Sequence, residues 1–445
     1  MIIDQLIHLF PAITLGIFFG TITGIIPGLG IIQSLSVIYL LIMHWSPIEL
    51  LVFYMCLVTV SQYVDSIPSV YLGVPGESGA IPTAYESKFI NSATVQYLAI
   101  KWSAIGRTIG CALALIASVF LISKLSNMSI LFSARVQAAM LLFAIAGLMF
   151  TSNNTKKVNL VLIITGFLLG FVGYDAYLET NILTFNLPEL YNGISFIPLL
   201  TGIYLVPSLL QALKNYIPPS ELVNLDTKPV PAPILMPTIF RSSVLGYIMG
   251  LIPGISFVLS STISYHTEKW LAHCRGQYQP GHLPSIVACE TGNSVGAFST
   301  LLPLLFFGLP ITASESLIYN LMVNSGATFQ QGSFLLENSI ILLNTFIITI
   351  AISVVISWPL SRICIRLFTL IDLPKLYISV ILLSIATVFL MGWINNSIAF
   401  YFMTFLICLF IGLSLKEFDI LPLIFVFLMQ GSIESTAHDI FTLYF

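Results

Sequence analysis

The stretch GTITGIIPGLG, residues 20–30, sets four glycines and a proline inside an otherwise apolar run. A helix broken at Pro27–Gly28 frees backbone N–H and C=O groups, and each would cost several kcal/mol if it faced lipid. Such breaks persist where protein buries them or where they line a wet cavity. Glycine lets a ligand approach the backbone closely. The helix that begins after the break offers unpaired N–H groups and a partial positive charge, which suits a carboxylate. The chemistry predicted is reversible binding of an anion.

A second stretch, GYIMGLIPGIS, residues 246–256, repeats the arrangement. Gly20, Gly24, Pro27 and Gly28 correspond to Gly246, Gly250, Pro253 and Gly254 at one offset of 226 residues. A GxxxG pair alone would read as a helix-packing face. Two Gly/Pro-interrupted apolar segments at corresponding places in two halves point instead to a secondary transporter site. On this reading Gly24, Pro27, Gly28, Leu29 and Gly30, with Gly250, Pro253, Gly254 and Ser256, face substrate.

Further on, YLGVPGES (71–78) pairs with FFGLPITASES (306–316), so Gly73 and Pro75 face Gly308 and Pro310. The offset here is 235, so the second copy carries nine more residues between its motifs. These residues and Gly76 form a second broken pair at the substrate site. Carboxylates in apolar context are functional candidates by default: Asp65, Glu77, Asp175, Glu290, Glu315 and Glu434. Asp65, Glu77, Glu290 and Glu315, with the hydroxyls of Ser78, Thr312 and Ser314, could hold Na+ or carry a proton. Asn293 joins Glu290 as a substrate or ion contact. Glu77 and Glu315 equally suit helix caps, and Asp175 an interfacial turn.

Other chemistries find little support. His266, His273, Cys274 and His282 fit no compact metal-ligand spacing and lie in a polar loop, so no metal site is expected. No HExxH or Walker motif is present, and GYDAY lacks the GxGD partner of an intramembrane aspartyl protease. No catalytic residue is assigned, and no cofactor beyond a coupling ion, Na+ or H+.

The elements that must position these residues follow from composition. The chain has 445 residues, 57% hydrophobic and 8% charged, whereas soluble domains carry about a quarter charged residues. Its solvent is lipid. A net charge of −3 without a basic block excludes nucleic acid as a partner. Apolar runs, several near 20 residues and others too short to span, predict an all-α polytopic membrane protein of about 10–12 transmembrane helices with broken or re-entrant pieces. The proline- and charge-rich interval 214–235 reads as an extramembrane linker between halves 1–213 and 236–445. The first glycine motif has no Lys or Arg before Lys88, whereas Arg241, Lys269 and Arg275 flank the second. That asymmetry suggests an inverted repeat. The N-terminal run has no basic n-region and reads as a retained segment. The six cysteines are scattered and imply no disulfide framework.

The ordered motifs resemble the large permease subunit of the tripartite tricarboxylate transporter family. Gly20, Gly24, Pro27, Gly28, Leu29 and Gly30 match its GxxxGxxPGLG segment. Tyr63, Ser66, Ile67, Pro75, Gly76, Glu77 and Thr83 partly match its YGGSI–NxPGE–TxxDG series. Arg241, Gly246, Gly250, Pro253 and Gly254 match the second-half opening, followed in order by SYHTEK (264–269), Glu290, Asn293, Gly308 and Pro310. The block 173–204 and QGSIES (430–435) resemble the family's middle and terminal segments, so the likeness covers nearly the whole chain. Departures fall at the site: the family's Gly-Gly is Val64-Asp65, TxxDG ends in Glu86-Ser87, and the second Asn after Glu290 is Ser294. The resemblance implies an ion-driven importer of small carboxylates in the bacterial inner membrane. It would work with a small membrane subunit and a periplasmic binding protein. A carrier of another small anion without those partners, a channel and an intramembrane enzyme are the alternatives.

Overall fold

Lipid offers the backbone no hydrogen bonds, so a spanning segment must satisfy its own, and this chain does so with helices. The computed structural model describes residues 8–26, 29–90, 92–125, 134–151, 154–175, 180–214, 232–252, 257–329, 333–369 and 372–444. The first half runs α1 (Phe10–Ile25), α2 (Ile31–Ile42), α3 (Pro47–Val64), α4 (Ser66–Leu72), a 3-10 turn (Ser78–Ala80) and α5 (Ile81–Ser87). It continues through α6 (Ala93–Leu125), α7 (Ala134–Thr151) and α8 (Lys156–Gly170) to a short antiparallel hairpin of β1 (Gly173–Asp175) and β2 (Thr180–Ile182). Then follow α9 (Phe196–Leu200) and α10 (Val206–Lys214), joined by a π turn over Thr201–Leu205. The second half holds α11 (Ala232–Leu251), α12 (Phe257–Cys274), α13 (Leu283–Phe307) and α14 (Ala313–Asn324). It ends with α15 (Ser333–Ser357), α16 (Ser361–Thr369), α17 (Leu373–Ile394), α18 (Ile398–Ser414) and α19 (Leu421–Tyr444).

Among the described residues, four segments are long and apolar enough to cross a membrane: Pro47–Leu72, Ala93–Leu121, Glu337–Ser357 and Pro374–Ile394. Six shorter apolar helices accompany them, the mixture of full and partial spans expected from the sequence. The protein is an all-α membrane protein. The linker's residues 215–231 lie outside the described residues.

Two helices form the centre. In α3–α4 every residue from Leu50 to Val70 except Thr59 is buried, and in α13 every residue except Phe298 and Phe307 is buried. In contrast, α15 and α17 present Ile340, Ile347, Leu382 and Trp393 outward, as lipid-facing helices do.

Small residues set the central crossings. Gly16, Gly20 and Gly24 recur every four residues along α1 and lie against the α3 backbone. A methyl on Gly20 would sit 2.7 Å from Leu57 O, and one on Gly24 would sit 2.6 Å from Ser61 O. In the second half Gly246 of α11 lies against Gly292 of α13, where a methyl would be 2.9 Å from its carbonyl oxygen, and Gly250 lies against Gly296 and Ser299. The pairs Gly20–Leu57 and Gly246–Gly292 are related by the same two offsets as the sequence motifs. Helix ends match too. Gly73 and Gly308 both adopt left-handed conformation (φ 63° and 65°), and the next N–H donates six residues back to the carbonyl of Pro68 or Pro303. Glycine accepts this left-handed helix ending without strain.

Candidate functional site

The site grows from an interruption in the most buried helix. Pro68 lacks an N–H, and its ring crowds the carbonyl four residues back, at Val64. There α3 gives way to α4, with Asp65 at the joint and fully buried. Gly76 allows the returning chain to touch this joint: a methyl on it would lie 2.6 Å from Gly24 O and 2.9 Å from Asp65 Cβ. That return brings Glu77 alongside α3. Its carboxylate accepts from Gln62 Nε2 at 2.7 Å and from the backbone N–H of Ile31. Ile31 is the first residue of α2, so Glu77 occupies the positive end of the helix that starts after the first glycine motif.

Opposite Asp65 stands Arg107 of α6, also fully buried. One Nη donates to Asp65 Oδ1 at 2.9 Å and pairs with Glu290 Oε2, while Nε donates to the Glu290 carbonyl at 3.2 Å. The guanidinium lies over the Tyr63 ring, 5.5 Å from its centroid. Arg107 thus ties the broken helix of the first half to α13 of the second. Its placement depends on glycine: a methyl on Gly106 would strike Thr291, and one on Gly110 would lie 2.6 Å from Val295 Cγ2. Neither Arg107 nor Gln62 stands out from motif spacing. The signal for Arg107 is a basic residue at the centre of a long apolar helix, beyond Lys101 nearer its start.

Asn293 lies one turn beyond Glu290, fully buried, with its amide against Gly79 in the 3-10 turn. Several polar atoms here have no hydrogen-bond partner among the described residues: both amide atoms of Asn293, Asp65 Oδ2, Glu290 Oε1, Gln62 Oε1, Ser294 Oγ and Arg107 Nη1. Buried polar groups are normally paired, so this concentration marks a place built to meet something polar. No three side chains among His, Cys, Asp and Glu converge on one point among the described residues. A cation here would therefore use mixed carboxylate, amide and hydroxyl oxygens.

The second set of expected residues is organised differently. Thr312 caps α14 and its Oγ accepts from the Glu315 N–H, while the Glu315 carboxylate accepts from the N–H groups of Ile311 (2.9 Å) and Thr312 (3.0 Å). That is a capping box, the structural role open to Glu315 from sequence. Ser314 Oγ lies 3.0 Å from Tyr54 OH, and both Glu315 and Glu77 act electrostatically on that hydroxyl. The two helix starts therefore flank α3. Leu29 is buried and Gly30 caps α2, while Gly308 and Pro310 lead into the capped start of α14. Gly24 and Gly250 stand at helix crossings. Ser78 begins the 3-10 turn. Pro27, Gly28, Pro253, Gly254 and Ser256 lie outside the described residues.

Glu86, seen in the sequence as a departure from the family pattern, is a fully buried hub. It accepts from Tyr265 OH (2.7 Å), Tyr278 OH (3.2 Å) and the N–H groups of Gly281 (2.9 Å) and His282 (3.0 Å), with Lys269 Nζ at 3.7 Å. It joins α5 to the loop before α13. A cavity of about 590 Å3 is lined by Tyr39 of α2, Tyr174, Asn192, Asn320 of α14, Gln430 and Glu434 among others, and none of the site residues named above lines it.

A family model, the tripartite tricarboxylate transporter TctA family, matches residues 10–427. The chain belongs to this family. Among individual relatives, it is 24% identical over 322 residues to an "uncharacterized 52.8 kDa protein in TAR-I ttuC' 3'region" of Agrobacterium vitis, covering 70% of this chain and 63% of that one. It is 26% identical over 260 residues to an uncharacterised protein of Methanocaldococcus jannaschii, covering 57% and 62% of the two chains. The matches thus span a little under two thirds of either relative's length. No solved structure matches the chain. Family membership makes this a membrane protein of a transporter family.

Proposed function

We propose that the chain is the large permease subunit of a tripartite system, taking up small carboxylates across the bacterial inner membrane by symport with Na+ or H+. Substrate is delivered by a periplasmic binding protein and a small membrane subunit completes the complex, the partner kinds with which the family works. The two halves act as inverted repeats, 1–213 and 236–445, that rock against each other about the α3–α13 contact. The observation that carries the reading is the fully buried set Asp65, Arg107, Glu290 and Asn293, with unpartnered polar atoms where a helix is broken. Asp65, Glu77 and Glu290 take the coupling cation. The anion meets Asn293, the loop Gly73–Pro75–Gly76 and the start of α2 at Gly30, with Gly308 and Pro310 shaping the opposite wall.

A narrower reading of the substrate has its own support. Asp65 stands where the family pattern has glycine, so the site holds an extra negative charge and favours an anion of lower charge than a tricarboxylate. Uptake into proteoliposomes, with a panel of mono-, di- and tricarboxylates under imposed Na+ or H+ gradients, tests both. Accumulation should require one of the gradients and should be strongest for a mono- or dicarboxylate. Equal flux without any gradient would reject symport, and a preference for tricarboxylates would reject the narrower reading.

A further inference from the structure

We propose that Arg107 is a built-in counter-cation: it permanently fills one of three positive-charge positions created by Asp65, Glu77 and Glu290, leaving two to be filled from solution. The inference rests on the symport reading and goes beyond it by assigning Arg107 and a cation count.

Three buried carboxylates lie around Arg107: Asp65 and Glu290 are ion-paired with it, and its charge acts on Glu77. Asp65 and Glu290 are fully buried and Glu77 is 8% exposed. Gln62 links Glu77 to the Asp65 joint one turn away, and Asp65 acts electrostatically on Glu77. Arg107 is the cation that acts on both. Arg241, Lys269 and Lys101 are engaged elsewhere, with Glu268, with Glu86 and over Trp358. Three carboxylates against one guanidinium leave two uncompensated negative charges when all are ionised. Buried charge is retained only when paired, so two cations or protons must join.

Arg107 cannot readily leave. Its Nε is bonded to the Glu290 carbonyl, its face lies on Tyr63, and the glycines on either side of it hold α6 tightly against α13. A fixed charge of this kind sets the count of mobile ones. The orphaned acceptors are those expected at the mobile positions: Asp65 Oδ2, Glu290 Oε1, Gln62 Oε1 and the Asn293 amide.

The test counts cations on purified protein in detergent. Radiosodium bound at saturation at one fixed pH is added to the protons retained at that pH, each variant titrated from one acid end point and compared with wild type, so that common groups such as the six histidines cancel. Arg107→Gln should bind one more positive charge than wild type, Asp65→Asn one fewer, and the double variant the wild-type number. If Arg107→Gln does not fold, the Asp65→Asn arm and the double variant still read the count. An unchanged count in Arg107→Gln, or in Asp65→Asn, would overturn the inference while leaving symport intact. Wild-type proteoliposomes that accumulate substrate equally well with no Na+ or H+ gradient would overturn the symport reading itself.

Discussion

Replacing Gly24 by alanine probes the whole arrangement with one methyl group. That methyl would sit 2.6 Å from Ser61 O, 2.9 Å from Val64 Cβ and 3.0 Å from the Asp65 nitrogen, where ordinary contact begins at 3.4 Å. The difference, 3.4 less 2.6, requires α1 and α3 to part by about 0.8 Å. Two of the three contacts are backbone atoms, so no rotamer change relieves them. Overpacking of this kind costs about 2–3 kcal/mol, and the better helix propensity of alanine returns about 1 kcal/mol. A net loss of about 1–2 kcal/mol is expected, measured as unfolding free energy in mixed micelles. The same displacement moves Asp65 relative to Arg107 and Glu290, and misplacement approaching 1 Å at a built site costs about a hundredfold in rate. Folded Gly24→Ala protein should therefore take up substrate at least about tenfold more slowly. Stability within about 0.5 kcal/mol of wild type together with wild-type uptake would show that the crossing is loose and that the reasoning fails.

Arg107→Met should be much more destabilising than Asp65→Asn, by about 3–5 kcal/mol against little, because it strands two buried carboxylates; micelle unfolding of both variants measures the gap. Glu86→Gln should cost about 1–3 kcal/mol and speed hydrogen exchange at the amides of Gly281 and His282, which donate to that carboxylate. Gly73→Ala and Gly308→Ala should each lose about 1 kcal/mol through left-handed strain, and Gly308 more than Gly73, because its methyl meets the Phe329 ring rather than a flexible lysine. Burial holds the His282 imidazole, outside the spans, below its usual value of 6.5. The unfolded chain then binds the extra proton first, so His282 should lower stability as pH falls below about 6.5, a limb that His282→Gln should lack in unfolding curves.

Much of this protein could be read directly from residue order. Lipid as solvent, helices as the elements and the twinned glycine motifs all follow from local composition, because hydropathy and the backbone's need for internal hydrogen bonds act segment by segment. The matching helix ends at Gly73 and Gly308 also follow from short-range chemistry, since glycine takes the left-handed ending and the proline two residues on cannot continue the helix. Asp65, Glu77, Glu290 and Asn293 stood out as costly polar groups in apolar runs.

Tertiary structure decided what those residues face. That Gly20 and Gly24 lie in a helix crossing, that Glu315 closes its own helix and that Glu77 sits at the start of α2 depend on which surfaces meet. The pairing of Arg107 with Asp65 and Glu290 joins residues 42 and 183 positions apart. No periodicity encodes such a contact. It exists because close-packed glycines bring three helices together at one depth, where an isolated charge could not stay.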